Sequence, residues 1–135
     1  MSPPRRRVLV VDDDPGIRGF LIGALEDEGY EVREAADGRA ALNIIQGTEG
    51  GAATETSWMP NAIVLDLYMP EMDGWAFRAA QLALPGPAAQ IPVLIISASR
   101  NLGPRTADLH AAAVMEKPFE LDELLERLAR VIEPR

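Results

Sequence analysis

The sequence predicts one three-layer α/β domain, a doubly wound sheet of five parallel strands in the order 2-1-3-4-5 with helices on both faces. Three observations lead there. The runs VLVV (8–11), AIVL (62–65) and VLII (93–96) are continuously apolar, as strands buried on both faces must be. Segments of helical period lie between the strand-like runs, and that alternation is the pattern of a parallel sheet covered on two sides. The 135 residues suit one domain with a real core. Right-handed crossovers then leave few topologies for a five-strand chain of this size.

The elements follow in chain order. After VLVV, Asp14 is a helix N-cap and Pro15 suits the first helical position. Ile17, Phe20, Leu21, Ala24 and Leu25 form one helix face, and Gly29 is the stop. YEVREA (30–35) alternates with period two, so it is a strand with one wetter face. Asp37-Gly38 is a turn before a short helix over 40–45. GTEGGAATETSWMP (47–60) has no period and reads as a long loop. AIVLDL (62–67) is a strand, GWAFRAAQLAL (74–84) a helix, 85–92 a Pro/Gly loop and VLIIS (93–97) a strand. A weak helix follows Gly103-Pro104, a short strand covers 113–115, and Leu121, Leu124, Leu125, Leu128, Val131 and Ile132 mark the face of a last helix. Five helices are expected in all.

Composition excludes several classes. The net charge of −8 opposes nucleic-acid binding, which needs a basic face, so no DNA binding is expected. Residues 1–7 read as a basic lead-in, with Arg5, Arg6 and Arg7 the only basic run, and 8–133 as the folded domain. The absence of cysteine excludes disulfides and thiolate chemistry. No apolar run approaches the roughly 18 residues of a membrane span, and no signal peptide is recognisable, so a cytoplasmic protein without membrane contact is expected.

Chemistry is expected at the carboxyl ends of the strands, where such sheets bind ligands. Those ends carry Asp12, Asp13 and Asp14, then Asp66, Ser97 and Lys117. One aspartate satisfies a helix cap; three exceed that need, and Asp14 is assigned the cap. If the first and third strands are neighbours, Asp12, Asp13 and Asp66 converge. Carboxylates ~4 Å apart repel by about 4 kcal/mol at an effective dielectric of ~20, so a cation is needed to hold them ionised together. All-oxygen donors favour a hard ion, Mg²⁺ with Mn²⁺ as the alternative. A carboxylate beside such an ion can attack phosphorus, with the Lys117 ammonium and the Ser97 hydroxyl countering charge on the other phosphoryl oxygens. His110 reads as an exposed helix-end residue, and Trp58 and Trp75 carry no functional signal, although Trp75 suits a fluorescence reporter.

VLVVDDDPG, VLDLYMPEMDGW, IPVLIISA and EKPFE, in this order and spacing, closely resemble the receiver domain of bacterial two-component response regulators over nearly the whole chain. The resemblance implies the CheY-like, flavodoxin-like fold and Asp66 as phosphoacceptor. It implies Asp12 and Asp13 as the acidic pair, Asp13 being the direct metal ligand, with the backbone carbonyl of Tyr68 as a further one. Ser97 matches the hydroxyl switch and Lys117 the phosphate-sensing lysine, before a Lys117-Pro118 bond that is usually cis in the family. The implied phosphodonor is a histidine kinase or histidine phosphotransfer protein, and the output is phosphorylation-dependent contact with a downstream protein. The resemblance implies no enzyme beyond the domain's own phosphorylation and dephosphorylation. No output domain is expected after Ile132, and the chain is expected either to signal by contact or to be part of a longer protein.

The sequence also departs from the family. The 97–117 segment is about two residues short, with Gly103-Pro104 where a fourth helix normally begins, and Pro104 cannot continue a helix from upstream. Val114 stands where an aromatic switch residue is common, and the 47–60 loop is longer than typical. Tyr68 and Ser99 are expected to tune phosphoryl lifetime by limiting water access. Two other functions compete: a haloacid-dehalogenase-type phosphohydrolase using Asp12, against which Asp66 and MPEMDG would be unexplained, and a receiver-like scaffold that is not phosphorylated.

Overall fold

A computed structural model describes residues 6–47, 58–98 and 107–133. β1 (Arg7–Val11), β2 (Glu31–Ala35), β3 (Ala62–Asp66), β4 (Val93–Ser97) and β5 (Ala113–Glu116) form one sheet in the order β2-β1-β3-β4-β5. All four pairings are parallel, as expected. Four α-helices lie among the described residues: α1 (Pro15–Asp27), α2 (Gly38–Gln46), α3 (Gly74–Leu82) and α4 (Leu121–Ile132). Of the segment after Gly103-Pro104, residues 105–106 lie outside the described residues, and 107–109 form a 3-10 turn. Most of the long loop, 48–57, and Ser99 also lie outside them. The Pro/Gly stretch after α3 contains a second 3-10 turn, Gly86–Gln90.

The continuous apolar runs are explained by alternation across a doubly covered sheet. Leu9, Val11, Ile63, Leu65, Val93 and Ile95 pack with Ala41, Leu42, Ile44, Ile45 and Phe77 of α2 and α3. Their sequence neighbours Val8, Val10, Ala62, Val64, Leu94 and Ile96 pack with Leu21, Leu25, Leu124 and Leu128 of α1 and α4. Every residue in the core of β1, β3 and β4 therefore meets a helix. Helix starts are set by aspartates: Asp14, Asp37 and Asp73 accept from backbone N–H groups of the first turns of α1, α2 and α3. In α4 no side chain caps; Asp122 and Glu123 at its start and Arg130 at its end oppose the helix dipole instead.

Several features differ from the sequence reading or add to it. Phe20, expected on the core face of α1, is 54% exposed, because it stands at the flank of the stripe centred on Leu21 and Leu25. Arg78 and Gln81, in the polar stretch RAAQ of α3, are buried. The Arg78 guanidinium donates to the carbonyls of Leu109, His110 and Ile91 and to Gln81 Oε1, while Gln81 Nε2 donates to the carbonyls of Ala88 and Ile91. Arg7, placed in the lead-in by sequence, opens β1 and pairs with Glu31 at 2.6 Å. Trp58 donates to that same Glu31 and lies under the guanidinium groups of Arg7 and Arg33, which gives it a structural role at the β2 edge.

Candidate functional site

The acidic residues stand where β1 and β3 end side by side. Val11 pairs with Leu65 in the β1–β3 register, so Asp12 and Asp66 follow from the same level of the sheet. One carboxylate oxygen each of Asp12, Asp13 and Asp66 lies within 4.8 Å of the others. Asp12 is fully buried, Asp66 nearly so, and Asp13 exposed. β5 delivers the cation. Lys117 directly follows β5, its backbone N–H donates to the Ser97 carbonyl, and its Nζ reaches Asp12 Oδ2 at 3.1 Å and Asp66 Oδ2 at 3.5 Å. The Lys117-Pro118 peptide is cis.

Local bonds set the geometry of each carboxylate. Asp12 Oδ1 accepts from the Asp14 N–H at 2.9 Å, so the acidic loop closes on itself before Asp14 caps α1. Asp66 Oδ1 accepts from the Tyr68 N–H at 3.4 Å. Burial pushes the Asp66 carboxyl above the usual range, and the neighbouring Asp12 adds to that. Lys117 and the Tyr68 N–H pull the other way without cancelling it. Among the described residues, Lys117 is the cation that pairs with this buried carboxylate, and it does not fully offset burial and the Asp12 charge. The donor set of three carboxylates, with no nitrogen or sulfur ligand, fits a hard divalent ion of the Mg²⁺ type.

The loop after Asp66 is tightly seated. The Gly74 N–H donates to the Leu67 carbonyl at 2.8 Å, the Gly38 N–H donates to the Met72 carbonyl at 3.0 Å, and Glu71 takes a left-handed backbone with φ 66. A Cβ on Gly74 would lie 2.7 Å from both the Asp66 carbonyl oxygen and Leu67 Cα. Backbone atoms cannot rotate away, so Gly74→Ala must displace the end of β3. We expect it to cost about 2 kcal/mol in urea unfolding; an unchanged midpoint would contradict this contact.

The sequence-nominated residues fall at one place: Asp12, Asp13, Asp66 and Lys117 meet directly. Ser97 is buried at the end of β4, opposite Glu116 in the register. Tyr68 is half exposed, and its ring meets Trp75 edge-on, with 5.3 Å between centroids. Val114 is exposed on β5, and His110 is exposed with φ 47, as a residue leaving a turn. Sequence reasoning passed over Arg18. Its Nη1 donates to the Asp12 carbonyl and its Nε to Glu34 Oε1, both at 2.8 Å. The available signal was a basic residue one turn into the helix that follows the acidic block.

The family profile described as the response regulator receiver domain matches residues 8–129. The chain belongs to the response regulator receiver family. Response regulator MprA of Mycolicibacterium vanbaalenii is 38% identical over 128 residues, covering 93% of this chain and 50% of the relative. The chain thus spans about half the length of the curated relatives it matches. The chemotaxis response regulator CheY4 of Vibrio cholerae is similar in structure, with a TM-score of 0.77 and 30% identity over 95% of this chain and 99% of that one. A receiver domain of a Pseudomonas aeruginosa sensor histidine kinase, solved with magnesium in its active site cleft, gives a TM-score of 0.80 at 24% identity. It covers 96% of this chain and 98% of its own, and at that identity it speaks to the fold alone. In this receiver domain the acidic cluster fits a phosphoacceptor site. Among the described residues no helix is long and apolar enough to cross a membrane.

Proposed function

We propose that this receiver accepts a phosphoryl group on Asp66 from the phosphohistidine of a histidine kinase or phosphotransfer protein, and signals through contact with a downstream protein. The observation that carries the reading is the Asp66 carboxylate, buried yet grouped with Asp12 and Asp13 and 3.5 Å from Lys117. Asp13, Asp66 and the Tyr68 carbonyl would hold the divalent ion directly, with Asp12 behind them. The donor set, three carboxylates with one oxygen each within 4.8 Å of the others, supports that ion. When bound, the ion supplies positive charge that offsets the crowded carboxylates and the incoming phosphoryl oxygens.

The chain's own residues account for the rest of the chemistry. An Asp66 carboxylate oxygen attacks phosphorus as the bond from phosphorus to the donor nitrogen breaks, and the electron pair leaves on the imidazole. Lys117, already within ion-pair distance of Asp66, follows the charge onto a phosphoryl oxygen. Ser97 is the hydroxyl donor for another. No second reactant is turned over, so about one phosphoryl group per chain is expected, where a phosphohydrolase would cycle continually. The setting we propose is cytoplasmic.

The deciding measurement is intact mass after incubation with acetyl phosphate. A gain of one phosphate in the presence of Mg²⁺, lost with EDTA, is the expected result. Continuous phosphate release without a stable mass gain would favour the hydrolase, and no gain at all would favour the unphosphorylated scaffold. Tyr68 gives a subsidiary prediction. Tyr68 follows Asp66 by two residues, and its half-exposed ring is held edge-on against Trp75; if that ring shields the acyl phosphate, Tyr68→Ala should speed its loss about threefold, on the order of 0.7 kcal/mol. An unchanged decay by intact mass would remove Tyr68 from this role.

A further inference from the structure

We infer that Arg18 is a positioning residue for the metal site, holding the peptide between Asp12 and Asp13 in the orientation that lets both carboxylates face one ion. This rests on the reading of Asp12, Asp13 and Asp66 as the magnesium site. The peptide plane joining Asp12 to Asp13 decides where the Asp13 side chain points, because the Asp12 carbonyl and the Asp13 N–H rotate together. Asp13 is exposed and draws no rigidity from packing. The Asp12 N–H is fixed by the Ala35 carbonyl at 3.2 Å. The Asp12 carbonyl, on the other side of the residue, is fixed by Arg18 Nη1 at 2.8 Å.

Arg18 is itself immobilised. Its Nε donates to Glu34 Oε1 at 2.8 Å, and its side chain is only 17% exposed. The guanidinium therefore bridges α1, the end of β2 and the acidic loop, using two different nitrogens of one planar group. An ammonium at this place keeps the charge but loses the fork. Groups that orient metal ligands through a second hydrogen bond commonly matter for affinity by tenfold or more.

Charge and positioning make opposite predictions, which separates them. A cation close to a cation site repels the ion, so removing Arg18 should tighten Mg²⁺ binding if only its charge matters. If Arg18 orients the ligands, removing it should weaken binding. The experiment is a Mg²⁺ titration of wild type, Arg18→Met and Arg18→Lys at pH 7, followed by amide chemical shifts in the 12–14 and 66–68 segments. Urea midpoints measured alongside separate a local effect from general unfolding. We expect the Mg²⁺ Kd to rise about tenfold in Arg18→Met and about threefold in Arg18→Lys, with both variants folded. Unchanged or tighter binding in Arg18→Lys, which preserves the charge, would overturn the inference even if Arg18→Met failed to fold. Wild type that binds no Mg²⁺ would overturn the metal-site reading and this inference together, whereas wild-type binding with unaffected variants would overturn this inference alone.

Discussion

Asp66→Asn is expected to abolish phosphoryl uptake from acetyl phosphate and, without metal, to make the domain more stable than wild type. The first effect follows from chemistry: a carboxamide nitrogen or oxygen does not form the acyl phosphate that a carboxylate oxygen forms. The second follows from electrostatics. Asp66 is 4% exposed, burial and Asp12 push its carboxyl above the usual range, and Lys117 at 3.5 Å is shared with Asp12. At ~4 Å each like-charge contact costs about 4 kcal/mol at an effective dielectric near 20, and one lysine offsets about one such contact. A neutral asparagine keeps the shape, removes the repulsion and can donate to Asp12, so a gain on the order of 1–2 kcal/mol is expected at pH 7. Mg²⁺ should reverse the ranking, because an ion that binds only the folded wild type stabilises it by mass action.

The same balance fixes the direction of the pH dependence. A carboxyl whose folded value lies above its unfolded value binds its proton more tightly when folded. Asp66 therefore supports the metal-free fold at acid pH, and that support is lost as pH rises from the ordinary carboxylate range through its raised value, above which the curve is flat. Carboxylates remote from the cluster contribute equally to wild type and Asp66→Asn, so the difference between their urea midpoints from pH 3 to 8 in EDTA reports Asp66 together with its charge coupling to Asp12. A phosphate-sized mass gain in Asp66→Asn equal to that of wild type would remove Asp66 as acceptor. A variant less stable than wild type at pH 7 without metal would show that Lys117 over-compensates the crowding.

The sheet and the acidic cluster were legible because each rests on a strong local signal. A run such as VLVV is apolar throughout only when both faces are covered, and Leu9 and Val10 go to opposite cores as that requires. Given parallel strands, residues just past their ends must gather at one edge, which brings Asp12, Asp66 and Lys117 together from positions more than fifty residues apart in sequence. Phe20 was misread because a helical period gives the centre of the buried stripe and not its width. Whether the flank is covered depends on what the neighbouring elements reach. Arg18 and Arg78 were not legible for a different reason. An arginine on a helix usually points into solvent, and only the approach of distant carbonyls, at Asp12 for one and at Ile91, Leu109 and His110 for the other, makes it a structural donor.

Arg78→Met is expected to cost about 3 kcal/mol of stability, measured by urea unfolding, the largest loss of any substitution considered. Arg78 is 5% exposed, and its donors serve three main-chain carbonyls and Gln81 Oε1. Methionine fills a similar length but donates nothing, leaving the Leu109 and His110 carbonyls short of a partner beside the buried Leu109 side chain. Many buried charged pairs can be replaced by an apolar pair at little cost, because both polar partners vanish. That escape is closed here, since three of the four acceptors belong to the backbone. Adding Gln81→Leu should therefore deepen the loss, because the Ile91 carbonyl then loses both side-chain donors and the Ala88 carbonyl keeps only the long bond from the Ile91 N–H. Arg78→Lys should recover only part, as one ammonium cannot span carbonyls on both sides of α3's contact with the chain ahead of β4 and β5. The protein gains a fixed entry into β5, whose next residues lead to Lys117, in return for burying a guanidinium. If Arg78→Met unfolded at the wild-type urea concentration, these carbonyls would have to be satisfied by water, and α3 would not be what secures the start of β5.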